Sequence, residues 1–520
     1  MSRFVDKATE AGLDYHWVVA GKSPFNVLQT IGNGCAFLDV NNDENLDILL
    51  IGARVSLYEG DGKGKFVDVS RQFHLDRLSG HFLGCAVGDY DHDGYDDVYL
   101  SGYRGGVLLH NDNGHTLRDV TSTAGIRPQP WGSSCCFVET QAGSGLLDLV
   151  ICNYARFDVD HDKHLLCPYA GVMTSCPPST YMPLKAVLYR NIGNGRFVDN
   201  SSKSGFSASS SGRGLGVAAA PLDPSMKPYI ALANDEIAGN LLEPTPTSRG
   251  TRYRDIAIEA GTAFNSLGRP HGGMGTDWGD FDNDGRLDLF VSTYQREFKS
   301  LYRNVQGTSF EDDTIPAHIT YRGNDPTVAF GCKFADFNND GWMDLIIANG
   351  HVQDNISMID KTTTYRQSTI LYTNDKGTFV DDSKFCGPDI QRPIVGRGLA
   401  IGDYDNDGRV DVLVVDSEGS PLLLHNETTP AGHWLELTLV GTKSNRDGLG
   451  ALVTVTAGGS TQTRLCQTDG SYLSSSDKRV HVGLGASTLA ERVTVLWPSG
   501  QADVFHNVAV DRRVTLRESR

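Results

Sequence analysis

A run of alternating oxygen-bearing side chains followed by β-branched residues recurs along this 520-residue chain, and nothing else restricts its fold as much. Asp39-Val-Asn41-Asn-Asp43-Glu-Asn45-Leu-Asp47 leads into Ile-Leu-Leu-Ile, and Asp89-Tyr-Asp91-His-Asp93-Gly-Tyr95-Asp-Asp97 leads into Val-Tyr-Leu. The same register returns in Asp280/Asp282/Asp284/Arg286/Asp288, Asp336/Asn338/Asp340/Trp342/Asp344 and Asp403/Asp405/Asp407/Arg409/Asp411. Oxygen side chains at positions 1, 3, 5 and 9, with a backbone carbonyl at position 7, meet the needs of a hard cation such as calcium. Position 7 is Asn45, Tyr95, Arg286, Trp342 or Arg409, each counted as a ligand through that carbonyl. Glycine at position 6 permits the sharp turn; the first ladder has Glu44 there and is expected to be strained or weaker. One such stretch is ordinarily a turn between strands. Five at one register predict about five calcium ions, mainly structural, with no organic cofactor. They would bring the formal charge of −18 to about −8, so much of the acidity is internal and need not signal a basic partner.

Two more repeats show only by their flanks. Glu139-Thr-Gln-Ala-Gly precedes Leu-Asp-Leu-Val-Ile-Cys152, and Pro221-Leu-Asp223-Pro-Ser precedes Ile230-Ala-Leu-Ala-Asn234, with too few oxygens to hold a metal. Each repeat continues with an apolar pair, Arg/His-Asn, a glycine turn and Phe-x-Asp, as in Leu188-Tyr-Arg-Asn-Ile-Gly-Asn-Gly-Arg-Phe197-Val-Asp199. This reads as four short antiparallel strands per unit, stacked radially. The seventh repeat ends at His425-Asn426 without its Phe-x-Asp strand, and Arg3-Phe4-Val-Asp6 at the other end of the chain supplies it. The expected fold is all-β: a seven-bladed β-propeller over residues 1–430, closed by the N-terminal strand, and a small β domain of about six strands over 431–520.

These ladders resemble the FG-GAP/VCBS repeats of calcium-binding propellers, including integrin α-chain heads. His433-Trp434-Leu-Glu-Leu, Asn445-Arg446-Asp447-Gly-Leu-Gly450, Gly470-Ser-Tyr472-Leu-Ser and Trp497-Pro498-Ser-Gly500 resemble an ASPIC/UnbV domain. The combination is similar to the cartilage acidic protein family and its bacterial and fungal relatives. That resemblance implies a secreted calcium-binding protein and fixes no activity, since some VCBS-type propellers are lyases or isomerases acting on sugars and others serve small-molecule biosynthesis. The C-terminal domain has no obvious nucleophile and reads as a packing cap, with direct ligand or partner contact as the alternative.

With the ladders on one rim, function is expected at the opposite axial mouth. His81, Arg213, His271 and Arg397 precede first strands there; Arg54, Tyr103, Arg104, Asn153, Tyr154, Arg156, Asp235, Tyr294, Arg296 and His351 follow second strands. His81, His271, His351, Asp235 and Arg156 are the candidate acid–base groups, and the others candidate substrate contacts. His81 and His271 occupy equivalent positions in different blades and are expected to face one substrate. The insertion 153–187 interrupts the third blade as a lid. Its His161, His164, Cys167 and Cys176 leave zinc, a Cys167–Cys176 bridge and two free thiols all open.

Cys35, Cys85, Cys135 and Cys332 each stand four residues before a first ladder position, as one repeated packing site. Eight unpaired thiols suit a reducing compartment. No apolar run approaches the roughly 18 residues of a membrane span, and the first residues lack an apolar signal core. As written the chain reads as cytoplasmic, and as extracellular if a leader has been removed. Net acidity disfavours nucleic acid; no dinucleotide fingerprint, P-loop or Gly-x-Ser-x-Gly elbow points to redox, phosphoryl or serine-hydrolase chemistry. The expectation leans to a cofactor-free, non-redox cyclase, isomerase or lyase acting on a small oxygenated molecule. The alternative is a secreted interaction protein with a protein or glycan partner and no catalytic activity.

Overall fold

In the computed structural model, which describes residues 2–162, 165–248, 250–319 and 325–520, each ladder joins the first two strands of a four-stranded antiparallel unit, and two of these units are joined into one sheet by the pairing of Trp131 with Tyr103. The first strands are Cys35–Leu38, His81–Gly88, Gln129–Val138, Gly214–Pro221, Thr276–Gly279, Ala329–Ala335 and Gly396–Gly402, here blades I to VII. Each packs beside the next and the seventh beside the first, so the ring closes. Closure uses the strand Phe4–Asp6, which pairs antiparallel with Leu422–Asn426 and registers Phe4 with Asn426. Phe4 is fully buried against Phe337.

In blades II, III, VI and VII the Asn that ends the third strand links neighbouring blades. Asn111 Nδ2 donates to Val40 O in the preceding ladder at 2.8 Å. Asn191 does the same to Tyr90 O, Asn374 to Phe281 O and Asn426 to Phe337 O, each at 2.8 Å. Position 9 of the ladder faces this Asn: Asp97 Oδ1 accepts from Asn111 N at 2.8 Å and Asp411 Oδ1 from Asn426 N at 2.7 Å. These groups are buried, so each bond satisfies a polar atom that water cannot reach.

Residues 433–517 form seven strands, one more than expected, in sheets of three and four. This domain sits on the ladder rim. Gly485 N donates to Asn339 O at 2.7 Å, Arg464 to Gly341 O at 3.1 Å, Arg479 to Asp403 O at 3.0 Å and Arg513 to Glu44 O at 2.6 Å. The decayed third ladder serves the same docking: buried Glu139 accepts from Asn445 N at 2.8 Å, while Asp447 accepts from Asp89 N at 2.8 Å.

A loop of this domain enters the axial channel and touches every blade. Cys35 N donates to Ser474 Oγ (3.1 Å), Cys85 N to Leu473 O (3.1 Å), Leu473 N to Ser134 Oγ (2.9 Å) and Gly470 N to Val217 O (3.3 Å). Thr276 N donates to Ser471 O (3.1 Å), Lys333 Nζ to Asp469 O (3.0 Å) and Ser471 Oγ to Leu399 O (2.7 Å). Buried Lys333 also pairs with Asp277 at 2.6 Å, so its charge is not left alone in the channel. The channel is thereby plugged, and the mouth beyond it is a blind pocket.

Candidate functional site

The ladders bring their carboxylates together. In blade II, Asp89, Asp91 and Asp93 offer oxygens within 4.8 Å of one another, as do Asp280, Asp282 and Asp288 in blade V. Position 1 folds the loop: Asp280 Oδ1 accepts from Asp284 N (3.0 Å) and Oδ2 from Gly285 N (3.1 Å). Asp91 Oδ1 and Asp405 Oδ1 are buried without a hydrogen-bond partner among the described residues, which suits a cation's place in blades II and VII. Burial first, and neighbouring carboxylates with it, push Asp47 up to about 8 and Asp280 and Asp336 up to about 7. Such groups are stable as anions only beside positive charge.

At position 7, where the expected donor is the backbone carbonyl, the side chains do other work. Arg286, Trp342 and Arg409 have no oxygen on their side chains, and the two arginines bring a positive charge into the ladder instead of a donor to a cation. The Arg286 guanidinium pairs with Asp284 Oδ2 and donates through Nε to Asn304 O at 2.7 Å. Arg409 repeats this in blade VII, pairing with Asp407 Oδ2 and donating to Asn426 O at 2.6 Å. One oxygen of the position 5 carboxylate is thus already taken by a guanidinium in both blades. In blade VI, Trp342 contributes its backbone N–H to Asp340 Oδ1 at 2.9 Å. These three residues are therefore not side-chain ligands. Their carbonyls alone remain as donors, and a cation in blades V and VII must share position 5 with an arginine or displace it.

Blades I and VI differ. Asn41 Nδ2 donates to Asp43 at 3.3 Å and Asn338 Nδ2 to Asp340 at 2.9 Å, so a cation there needs those amides to turn. Glu44 stands at φ 67°, the left-handed region that Gly94, Gly285, Gly341 and Gly408 occupy in the other ladders, so the first loop carries the anticipated backbone strain. Position 4 was not anticipated. Asn42, His92, Asn283, Asn339 and Asn406 all have positive φ. Asn42 Nδ2 bonds Gly94 O (2.7 Å), Asn283 Nδ2 bonds Gly341 O (3.0 Å) and Asn339 Nδ2 bonds Gly408 O (2.9 Å), each tying its ladder to the next around the rim. The signal was present as Asn in four ladders and His in one at the same register, but nothing local names its acceptor.

At the opposite mouth lies a cavity of about 930 Å³. Three segments close over it. Residues 25–31 include the short helix Val27–Thr30, capped by Asn26. The lid hairpin Leu166–Tyr169 and Val172–Ser175 crosses to blade VI, where Thr174 Oγ1 donates to Asn355 Oδ1 and Asn355 Nδ2 to Met173 O, both at 2.8 Å. Residues 352–360 form the third segment. The walls are Tyr154, Tyr169, Leu215, Met274, Tyr294, Phe330 and Val352 with Asp235, Glu236, Glu297, Asp360 and Arg296. Beneath them Tyr472 at the tip of the plug packs on Phe330 at 4.9 Å and donates to Ile31 O at 2.8 Å.

Of the residues singled out in the sequence, Asp235, Tyr154, Tyr294 and Arg296 line this cavity. Tyr154 Oη donates to Asp235 Oδ2 at 2.7 Å, and burial pushes Asp235 up to about 7. The histidines do not converge as expected. His81 is exposed beside Tyr103, while His271 and His351 are buried outside the lining, where burial brings them down to about 4 and about 3.

The arginines and polar residues are mostly taken up by the fold, because rim connections expose carbonyls and carboxylates that long donors satisfy. Arg397 donates to the carbonyls of Thr30, Gly350, Gly396 and His351, and Arg213 to Tyr181 O. Arg104 holds Asp158 and Asp160 at the base of the lid, and Arg296 holds Asp360 at 2.6 Å. Arg54 stacks on Tyr15, Arg156 is exposed, Tyr103 donates to Phe157 O and Asn153 Nδ2 to Gln129 Oε1. Cys167 and Cys176 form a disulfide, which removes both thiolates from any zinc site; His164 lies outside the described residues. The other eight cysteines are buried and unpaired. Their burial makes them inert in either redox compartment, so they do not report on location.

A carboxyl raised by burial favours folding at low pH. The contribution of Asp235 is complete below the unfolded value near 4 and is lost as pH rises through about 7. Denaturant midpoints at pH 5 and pH 8 are expected to show Asp235→Asn losing less stability than wild type, by about 2–3 kcal/mol. Parallel profiles for the two proteins would contradict the assignment.

Two family models match segments within both parts of the fold. The model described as FG-GAP-like repeat matches residues 39–100 and 280–347, and that described as ASPIC and UnbV matches 441–520. The chain is an FG-GAP-repeat propeller carrying an ASPIC/UnbV domain. It is similar to cartilage acidic protein 1 of Mus musculus, 23% identical over 503 residues that cover 90% of this chain and 70% of that protein. Cartilage acidic protein 1 of Homo sapiens is 22% identical over 511 residues, covering 92% and 70%. Among solved structures, an Agrocybe aegerita lectin described as recognising non-reducing terminal N-acetylglucosamine is similar at TM-score 0.41 and 12% identity, covering 76% of this chain and 94% of the lectin. No helix among the described residues is long and apolar enough to cross a membrane.

Proposed function

We propose that this chain is a calcium-stabilised, non-catalytic recognition protein that works outside the cell and engages its ligand at the axial mouth. The observation that carries this reading is the division of the mouth's polar groups. The histidines on which proton transfer would rest lie outside the cavity, while aromatic rings and carboxylates line it. In the ladders of blades II, V and VII, the convergent carboxylates would hold calcium and keep the rim in register. The lid disulfide suits an oxidising compartment, and relatives named for cartilage accord with an extracellular setting.

Val352 lines the cavity without being fully buried, whereas Val380 is exposed on an outer strand. Immobilised protein incubated with material from its source is expected to retain a ligand unchanged, with at least about tenfold less retained by Val352→Trp and no loss in Val380→Trp. Equal retention by both variants would move recognition away from the mouth.

One observation favours the enzyme reading. Asp235, raised to about 7 and held by Tyr154 in a largely apolar cavity, is suited to protonate an oxygenated substrate, as a cyclase, isomerase or lyase would require. Conversion of the retained molecule into a product by wild type but not by Asp235→Asn would decide for that reading.

A further inference from the structure

The mouth holds more negative than positive charge, and the imbalance is focused on one spot. Arg296 is the cation of the cavity wall, and it is engaged with Asp360 at 2.6 Å and Thr362 at 2.8 Å. Asp235, Glu236 and Glu297 have no ion-pair partner among the described residues; burial is the main cause of the upward shift of Asp235 and of Glu297, and repulsion from Glu236 adds to both, with Glu297 adding to that of Asp235. Asp235 is 6% exposed; Tyr154 satisfies Oδ2, while Oδ1 takes no hydrogen bond among the described residues. Gly272 brings two of these carboxylates together. Its N–H donates to Glu297 Oε2 at 2.8 Å, and a Cβ on Gly272 would lie 3.2 Å from Asp235 Oδ1 and 3.6 Å from Glu297 Oε2. Around this point the wall is apolar and aromatic, through Leu215, Met274, Phe330 and Tyr294.

Resting on the reading of the mouth as the recognition face, we propose that its ligand presents a cation, an ammonium or guanidinium on an apolar stem, to the oxygens of Asp235 and Glu297. An anion would meet three carboxylates in a partly desolvated cavity, and a neutral polar ligand would leave their repulsion in place. A cation removes the repulsion, makes charge-assisted hydrogen bonds and can lie against the Tyr294 ring, while its stem covers the apolar wall. The cation comes either from a free amine or from a lysine side chain of a protein. The groups facing Asp235 are Tyr154, Tyr294, Tyr472, Glu236, Glu297 and Arg213. Since Asp235 must be ionised to pair, affinity is expected to tighten from pH 6 to pH 8.

The test is calorimetric titration of the intact, calcium-replete chain with hexylammonium, 1-hexanol and hexanoate, and with a blocked Ala-Leu-Lys-Leu-Ala peptide beside its glutamine counterpart. The expected result is binding of hexylammonium or the lysine peptide at least about tenfold tighter than its uncharged counterpart, and none of hexanoate. Asp235→Asn and Glu297→Gln should each weaken that binding about tenfold with unchanged near-UV circular dichroism. Binding of the lysine peptide without hexylammonium makes the source a protein segment; the reverse makes it a free amine. If hexanol matches hexylammonium, or neither charge-removing variant weakens binding, the cationic assignment is wrong; the mouth reading survives provided Val352→Trp still abolishes binding. If Val352→Trp leaves all binding intact, or no probe binds, the cationic assignment is overturned as well.

Discussion

Chelation is expected to produce the larger of two effects on stability. Each occupied site stabilises the fold by RT ln(1 + [L]/Kd), about 2.7 kcal/mol at a free calcium concentration a hundred times Kd. The three ladders with aspartate at positions 1, 3, 5 and 9, in blades II, V and VII, would then contribute about 8 kcal/mol together, comparable to the whole stability of an ordinary domain. Removing the ions also leaves repelling carboxylates, including the unpartnered Asp91 Oδ1 and Asp405 Oδ1, in a rim that docks the C-terminal domain. EGTA should therefore lower the unfolding temperature by more than about 10 °C, and calcium but not equimolar magnesium should restore it. The ladders should not contribute equally. Asp282→Ala should cost more of the calcium-dependent stability than Asn338→Ala, because the Asn338 amide must turn before it can offer an oxygen. Scanning calorimetry with and without chelator measures both effects, and an unmoved transition would remove calcium from the account.

The ring was legible because its determinants are local and repeated. A ladder fixes where a first strand ends and a second begins, and the missing Phe-x-Asp strand at His425-Asn426 told where Phe4 must go. The Asn that closes the third strand of blades II, III, VI and VII was visible as a pattern, but its role was not: its acceptor lies in the preceding ladder, up to 101 residues away for Asn191 and Tyr90. Spacing likewise placed Arg286 and Arg409 at position 7 without showing that their guanidinium groups fold back onto the carboxylates of Asp284 and Asp407. The mouth was half legible. Position along the blade placed Asp235, Tyr154, Tyr294 and Arg296 on it, yet the same rule enrolled His81 and Arg156, which face solvent, and Arg397, which is buried against the carbonyls of Thr30, Gly350 and His351. Rank along a strand gives a residue's height, not the direction of its side chain, and arginines on a rim are drawn to the nearest carbonyls. The wall segments 25–31 and 352–360 carry no motif, so only the fold brings them over the cavity.

The second large effect concerns the plug. Gly470-Ser-Tyr472-Leu-Ser marked the C-terminal domain in the sequence, but its destination depends on contacts as distant as Cys35 with Ser474, 439 residues apart. Tyr472 and Leu473 are fully buried, so Tyr472→Ala should cost about 3–5 kcal/mol, in line with emptying an aromatic core site, and Tyr472→Phe about 1 kcal/mol for the bond to Ile31 O. Destabilisation alone would not show that the loop is what the channel is built around. Gly34 provides that distinction. A Cβ there would lie 1.8 Å from Leu473 O, and its backbone is outside the left-handed region, so the plug itself is the obstacle to a larger residue. Gly34→Ala should lower the denaturant midpoint in the intact chain by the equivalent of about 3 kcal/mol. In a chain whose residues 469–475 are replaced by a short Gly-Ser linker, the same substitution should cost almost nothing. The two changes act on one contact and must be strongly non-additive. Equal costs in the two backgrounds would mean that the glycine serves the blade rather than the plug. The expected cycle would show that the C-terminal domain, beyond capping the ladder rim, builds the floor of the mouth.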